Sequence, residues 1–184
     1  YALAQMHFRG KGFVFGMMLL VQMIPFQLLL IPLYIMIVRD YGLADTYLGM
    51  ILPFAINSTA VFVFRQYFLQ LPSTLFEAAR IDGASELRIL WQIAIPLVKP
   101  AIVTAILLTF IGPWNEFLWP LVTILTNQSA FTLQLGLATF QGAHQSQWHF
   151  VAAANIMSMV PILVLFLLAQ RYFVRGIATQ GLKG

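Results

Sequence analysis

Residues 72 to 100 read Pro72-Ser73-Thr74-Leu75-Phe76-Glu77-Ala78-Ala79-Arg80-Ile81-Asp82-Gly83-Ala84-Ser85-Glu86-Leu87-Arg88-Ile89-Leu90-Trp91-Gln92-Ile93-Ala94-Ile95-Pro96-Leu97-Val98-Lys99-Pro100. Charge clusters here as nowhere else in the chain. Thr74 followed three residues later by Glu77 is a capping box, which predicts a short helix that stops at Gly83, a natural left-handed terminator. Ser85 with Glu86 then predicts a second helix, closed by Pro96. Leu75, Phe76, Ala78 and Ala79 give the first helix an apolar, small-residue side, and Glu77 and Arg80 stand close enough at i,i+3 to pair. Such a helix pair fits either of two roles. It lies on lipid headgroups by its apolar face, or it docks into another protein. Ala78 and Ala79 favour docking: small side chains let a partner's backbone come close, whereas a membrane-surface helix gains more from Leu, Phe or Trp.

The flanking sequence sets this loop at a membrane. Of 184 residues 60% are hydrophobic and 9% charged, against roughly 25% charged in a soluble domain. With 16 Phe and 8 Met and a mean hydropathy of +0.85, one small core cannot bury so much apolar surface. Lys11 to Arg39 encloses 27 uncharged residues and Asp45 to Arg65 encloses 19, while Lys99 to Arg171 holds a single charge, Glu116. At about 20 apolar residues per crossing, these segments predict spans near 13–38, 47–69, 98–121 and 149–171, the last two separated by the polar run from Thr126 to His149. No ten-residue alternation recurs, which argues against a β-barrel. If the first residues are cytoplasmic, nine cations (Arg9, Lys11, Arg65, Arg80, Arg88, Lys99, Arg171, Arg175 and Lys183) face the cytoplasm and only Arg39 faces out. That bias puts the 65–97 loop and the C-terminus inside, with 39–46 and 122–148 facing outward.

Several chemistries are excluded. Without Cys there is no disulfide, thiolate nucleophile or Cys-based metal site. His7, His144 and His149 have no acidic or Cys companions at ligand spacing, so no metal is assigned. No Gly-x-x-x-x-Gly-Lys-Ser/Thr phosphate loop occurs, so the chain has no evident means of binding ATP. The net charge of +4 belongs to membrane topology and implies no nucleic-acid partner. Tyr1-Ala2-Leu3-Ala4 running into Phe8-Arg9-Gly10-Lys11 reads as the cytoplasmic end of a helix that begins earlier, or as a short amphipathic N-terminus. Positive charge after the apolar run is the wrong order for a signal peptide.

Polar residues within the predicted spans are few. Glu116, beside Trp114 and Asn115, offers a charge, a stacking face and an amide of the kind a polyhydroxylated solute needs; Trp114 and Trp119 equally fit an interfacial aromatic belt with Glu116 at the water edge. Asn155 and Ser158, one turn apart beside Ala152 to Ala154, fit either the same path or close helix packing. Gln141 to Gln147 with Trp148 and His149 predict an outward polar loop.

Glu77-Ala78-Ala79, three residues, Gly83, nine residues, then Ile93-Ala94-Ile95-Pro96 resembles the EAA loop of binding-protein-dependent ABC importer permeases, with Ile95 where that family has Leu. Arg80 to Ala84, Trp114-Asn115-Glu116-Phe117 and Gln170 to Gly176 are similar to sugar permeases of the maltose-transporter type. The resemblance covers essentially the whole chain. It implies an all-α, polytopic, type I ABC importer permease-like (MetI-like) bundle with a cytoplasmic coupling-helix loop. Residues 1–184 would form one transmembrane permease domain, lacking the family's N-terminal helices. It also implies a permease subunit of an ATP-driven sugar importer in the bacterial inner membrane. The implied partners are a cytoplasmic ATP-binding-cassette ATPase dimer, which uses ATP and magnesium, a second homologous permease, an extracytoplasmic solute-binding protein and membrane lipid. Glu77, Ala78, Ala79, Arg80, Asp82, Gly83, Ile93 and Pro96 would couple to the ATPase, and the chain would carry no catalytic residue. An ion-coupled secondary transporter of small polar solutes is the alternative. It would need ionisable residues at mid-membrane, and these spans carry almost none.

Overall fold

In a computed structural model the described residues, 1–143 and 148–180, contain helices and turns and no strand. In chain order the helices are α1 (Ala2–Gln5), α2 (Lys11–Met23), α3 (Phe26–Tyr34), α4 (Tyr47–Ile51), α5 (Ser58–Leu69) and α6 (Ser73–Ile81). There follow α7 (Glu86–Ile89), α8 (Ile95–Leu97), α9 (Lys99–Trp114), α10 (Leu118–Thr123), α11 (Leu133–Ala143) and α12 (Trp148–Gln180). Wide π turns at Ile35–Asp40 and Leu90–Ala94 extend α3 and join α7 to α8.

Three of the predicted spans are broken rather than continuous. Pro25 sits extended between α2 and α3 (φ −56°, ψ 131°); a proline has no N–H to continue the ladder and clashes with the preceding turn. A 3₁₀ turn, Leu52–Phe54, separates α4 from α5. Asn115, Glu116 and Phe117 separate α9 from α10. Among the described residues only α12, over Trp148–Gln170, is by itself long and apolar enough to cross a bilayer. Counting each bent pair (Lys11–Met23 with Phe26–Asp40, Tyr47–Phe54 with Ser58–Leu69, Glu86–Leu97 with Lys99–Trp114) as one span gives up to four. Only 6% of the α12 apolar stretch is buried, so the rest is surface for lipid or other helices.

The polar run from Thr126 to His149, read as the connection between two spans, contains a helix, α11. Leu135 and Leu137 are buried, and their spacing is hidden in the sequence among Gln, Thr and Gly. His144 to Gln147 lie outside the described residues, as does Lys183.

The chain forms two compact units. One comprises Tyr1–Met23, Ser58–Thr109 and the chain from Leu167; the other comprises Ile24–Asn57 and Phe110–Phe166. In the first, Phe68, Phe76, Ala79, Ile89, Ala94, Val98 and Ala101 make one buried cluster with Ala4. In the second, Ile124, Ala130 and Leu135 pack with Met50, Phe117 and Phe131. Trp119 there is 1% exposed, meets the rings of Phe26 and Phe54 edge-on and donates Nε1–H to the Gly49 carbonyl at 3.1 Å. It is a core residue, not the interfacial belt residue its sequence setting allowed.

Candidate functional site

The charged loop folds as a helix pair, with its caps partly rearranged. α6 starts after Pro72 (φ −59°, ψ 129°), and no side chain caps it; Thr74 lies inside the first turn, so the Thr74/Glu77 capping box does not form. Proline holds the extended geometry that precedes a helix and offers no N–H of its own to satisfy. The other end is as predicted. Gly83 has φ +77°, its N–H reaches Arg80 O at 3.0 Å and the Ala84 N–H reaches Ala79 O at 2.9 Å, the two bonds of a Schellman turn. Ser85 caps α7, its Oγ accepting from the Arg88 N–H at 3.4 Å. The second helix ends at Val98 (φ −101°, ψ 24°), two residues beyond the predicted stop at Pro96. The π turn just before Pro96 loosens the spiral where the proline ring would otherwise strike a carbonyl.

Arg80 pairs with Glu86 across the turn, not with Glu77: Nε lies 2.6 Å from Oε1 and a second guanidinium nitrogen 3.4 Å from Oε2. The Schellman reversal sets the first turn of α7 beside the end of α6, and the two-pronged geometry suits a guanidinium better than an i,i+3 contact. The Tyr1 hydroxyl donates to the same carboxylate at 2.7 Å. These bonds, Arg80 first and Tyr1 second, hold Glu86 below the ordinary glutamate range.

Helical periodicity divides the apolar side that the sequence grouped together. Phe76 and Ala79 turn into the chain's own core with Ile89, Ala94 and Val98, and Ile93 packs half-buried against them. Burying Phe76 is worth about 1.5–3 kcal/mol. Leu75, Ala78, Ile81, Leu87 and Trp91 remain exposed, as do Glu77, Asp82 and Pro96; Ile81 is 86% exposed. Of the two small residues, only Ala78 is open to a partner.

The polar residues of the spans are placed as follows. Trp114 stacks on Phe110 and donates Nε1–H to the Ser158 carbonyl at 3.0 Å; the Ser158 hydroxyl donates to Asn155 O at 2.7 Å. Thus Trp114 and Ser158 come together, in a packing arrangement. Asn155 is exposed. Asn115 bonds back to Ile111 O at 2.8 Å. Glu116 Oε1 accepts the N–H groups of Leu118 at 2.9 Å and Trp119 at 3.3 Å, so it serves as the N-terminal cap of α10.

Residues 1–179 match the family described as binding-protein-dependent transport system inner membrane component. The chain belongs to this family. Among its relatives, the arabinooligosaccharides transport system permease protein AraQ of Halalkalibacterium halodurans is 42% identical over all of this chain and 65% of its own length. The protein of the same name from Bacillus subtilis is 37% identical over all of this chain and 65% of its own length. The sn-glycerol-3-phosphate transport system permease protein UgpE of Yersinia pestis bv. Antiqua is 38% identical over 96% of this chain and 63% of its own length. A solved bacterial ABC transporter involved in the import of the acidic polysaccharide alginate superposes with a TM-score of 0.77 and 30% identity, over 94% of this chain and 65% of that one. The chain thus spans just under two thirds of the curated relatives it matches, and those relatives are named as transport permease proteins, not enzymes.

Two features of the chain have little or no signal in the sequence. Asp45 (φ +56°) folds its carboxylate into backbone donors: Oδ1 accepts from Leu125, Thr126 and Asn127 N–H at 2.7, 2.9 and 3.0 Å, and Oδ2 from the Thr126 hydroxyl at 2.8 Å. The Asn127 and Thr126 amides, foremost, push its pKa down to about 2. Nothing near Asp45 in the sequence marks partners 80 residues away. The second is a polar pair, Gln22 and Thr59, whose side chains bond at 2.6 Å; its only signal was an amide within an otherwise apolar run.

Proposed function

We propose that this chain is the membrane-spanning part of a permease subunit in an ATP-driven importer of sugars, and that α6 to α8 couple it to a cytoplasmic ATPase. The observation that carries this reading is the two-faced helix pair. Phe76, Ala79, Ile89, Ala94 and Val98 root it in the core, while Leu75, Ala78, Ile81, Leu87 and Trp91 leave an apolar outer face exposed beside Glu77 and Asp82. A rooted, rigid knob passes displacement into the unit that holds it, because packed interfaces switch between discrete arrangements. ATP with magnesium would be bound by the ATPase dimer, and a second permease subunit would complete the path. An extracytoplasmic binding protein would deliver the solute, and the loop and C-terminus would face the cytoplasm. Glu77 and Ala78 would contact the ATPase, Gly83 and the Arg80–Glu86 pair would fix the turn, and Ile93 would hold the second helix against the core.

The test is Ile81→Asp in the assembled transporter. We expect the ATPase to lose affinity for the membrane subunits and ATP-driven uptake to fall at least tenfold, with membrane insertion unchanged. Full uptake in that variant, or uptake driven by a proton or sodium gradient with no ATPase present, would overturn the reading.

A further inference from the structure

The polar pair in the first unit has no part in the coupling surface or the core. Gln22 lies near the end of α2 and Thr59 near the start of α5, and the Gln22 amide donates to the Thr59 hydroxyl at 2.6 Å. At a rise of about 1.5 Å per residue, Gln22 stands about 16 Å along its helix from Lys11 and Thr59 about 9 Å from Arg65. With Lys11 and Arg65 taken as the membrane edge, both distances fit within a hydrocarbon layer about 30 Å thick. Gln22 is nonetheless exposed. The bond uses one amide N–H of Gln22, leaving its carbonyl oxygen, its second N–H and the Thr59 hydroxyl proton for other partners. Facing lipid, those groups would carry an uncompensated desolvation cost. Facing a hydrated path, they are satisfied.

The pair borders a shallow, open groove of about 370 Å³ lined further by Leu19, Met23 and Phe62. Phe62, stacked on Phe15 and 41% exposed, presents an aromatic face beside the amide and the hydroxyl. No cation lines the groove. An aromatic face with a neutral donor and acceptor suits the C–H face and hydroxyls of an uncharged sugar; a phosphate or uronate would call for Lys or Arg.

We propose that Gln22 and Thr59 form a hydroxyl-reading point for a neutral saccharide on the translocation path. This rests on the sugar-import reading above, and the experiment separates the two. These 184 residues have no Cys, so once any cysteines elsewhere in the assembly are replaced by Ser a single introduced thiol reports cleanly. In proteoliposomes holding the full-length permease, its companion permease, the ATPase and the binding protein, ATP-driven uptake of arabinotriose and maltotriose by the wild type tests the import reading. Thr59→Cys is then treated with a hydrophilic methanethiosulfonate during turnover, with Leu20→Cys, 58% exposed and two residues from Gln22 on the opposite side of α2, as the control. We expect Thr59→Cys to react at least tenfold faster than Leu20→Cys and to be slowed several-fold by saturating transported sugar. The double variant Gln22→Leu/Thr59→Val, apolar and similar in size, should insert normally while uptake falls at least tenfold. Equal labelling of the two thiols, labelling unaffected by sugar, or full uptake in the double variant would overturn the pair's role while wild-type uptake stands. Absence of wild-type uptake for both sugars would remove the import reading and this proposal with it.

Discussion

The charged helix pair and the Asp45 clamp are both turns tied down by a carboxylate, and they are built in opposite ways. In the helix pair nearly every directional bond is local: Gly83 to Arg80, Ala84 to Ala79, Ser85 to Arg88 and Arg80 to Glu86. Only the Tyr1 bond to Glu86 and the apolar anchor reach far along the chain. In the clamp the directional bonds are themselves distant, one carboxylate holding Leu125, Thr126 and Asn127, with Trp119 bonded to Gly49. A segment that carries its own caps keeps its shape when its partners move. One stitched to a remote segment holds that segment in place. That contrast suits the coupling role proposed for the helix pair and a fixed connection at the clamp.

The largest effect should come from the anchor. Phe76→Ala should cost about 3–5 kcal/mol and expose α6 to α8 to protease; an unchanged melting temperature in detergent would mean that the helix pair is held by its turns alone. Gly49→Ala comes next. A Cβ there would lie 2.2 Å from Leu43 O, so backbone must shift, at about 1–3 kcal/mol, with the loss visible as faster amide exchange at Leu125 to Asn127. Gly83→Ala meets open space but a left-handed φ, and should cost about 1–2 kcal/mol, read by thermal unfolding together with ATPase binding.

Arg80→Ala should cost less than about 1 kcal/mol, since the pair is about a third exposed at both ends. The mildest probe is pH. Asp45 and Glu86 both have lowered pKa values in the fold, so each contributes stability that is present above its ordinary carboxylate range and is lost as pH falls through its folded value. For Asp45 that loss runs from the ordinary value of 3.8 down to about 2. Amide exchange at 125–127 should therefore stay slow through pH 4 and accelerate towards pH 2; acceleration already at pH 5 would show that the clamp is held by something other than the ionised carboxylate.

Much of the helix pair was legible because its determinants lie within a few residues of one another. Gly83 and Ser85 announced the turn, and the charges announced the loop. The Thr74/Glu77 box failed because Pro72, two residues upstream, already supplied a cheaper start to α6. Glu77 lost Arg80 because the reversal at Gly83 offered Glu86 in a two-pronged geometry. Glu116 was visible as a lone acid in an apolar run, but its use as a cap for α10 depended on a break after Trp114 that hydropathy does not register. Trp119 looked like a belt residue for the same reason: a residue's type records its tolerance for an interface, and only its neighbours decide whether it meets one.

By itself, then, the chain's pattern of apolar runs and cations determined that it is helical, membrane-bound and built around a charged loop, because hydrocarbon thickness and helix rise are fixed lengths that a sequence must match. Tertiary structure alone decided where those runs break, which face of α6 is buried, and that Gln22 meets Thr59 and Asp45 meets Asn127. Those pairings join residues far apart in the chain, where no local propensity acts and only packing selects a partner.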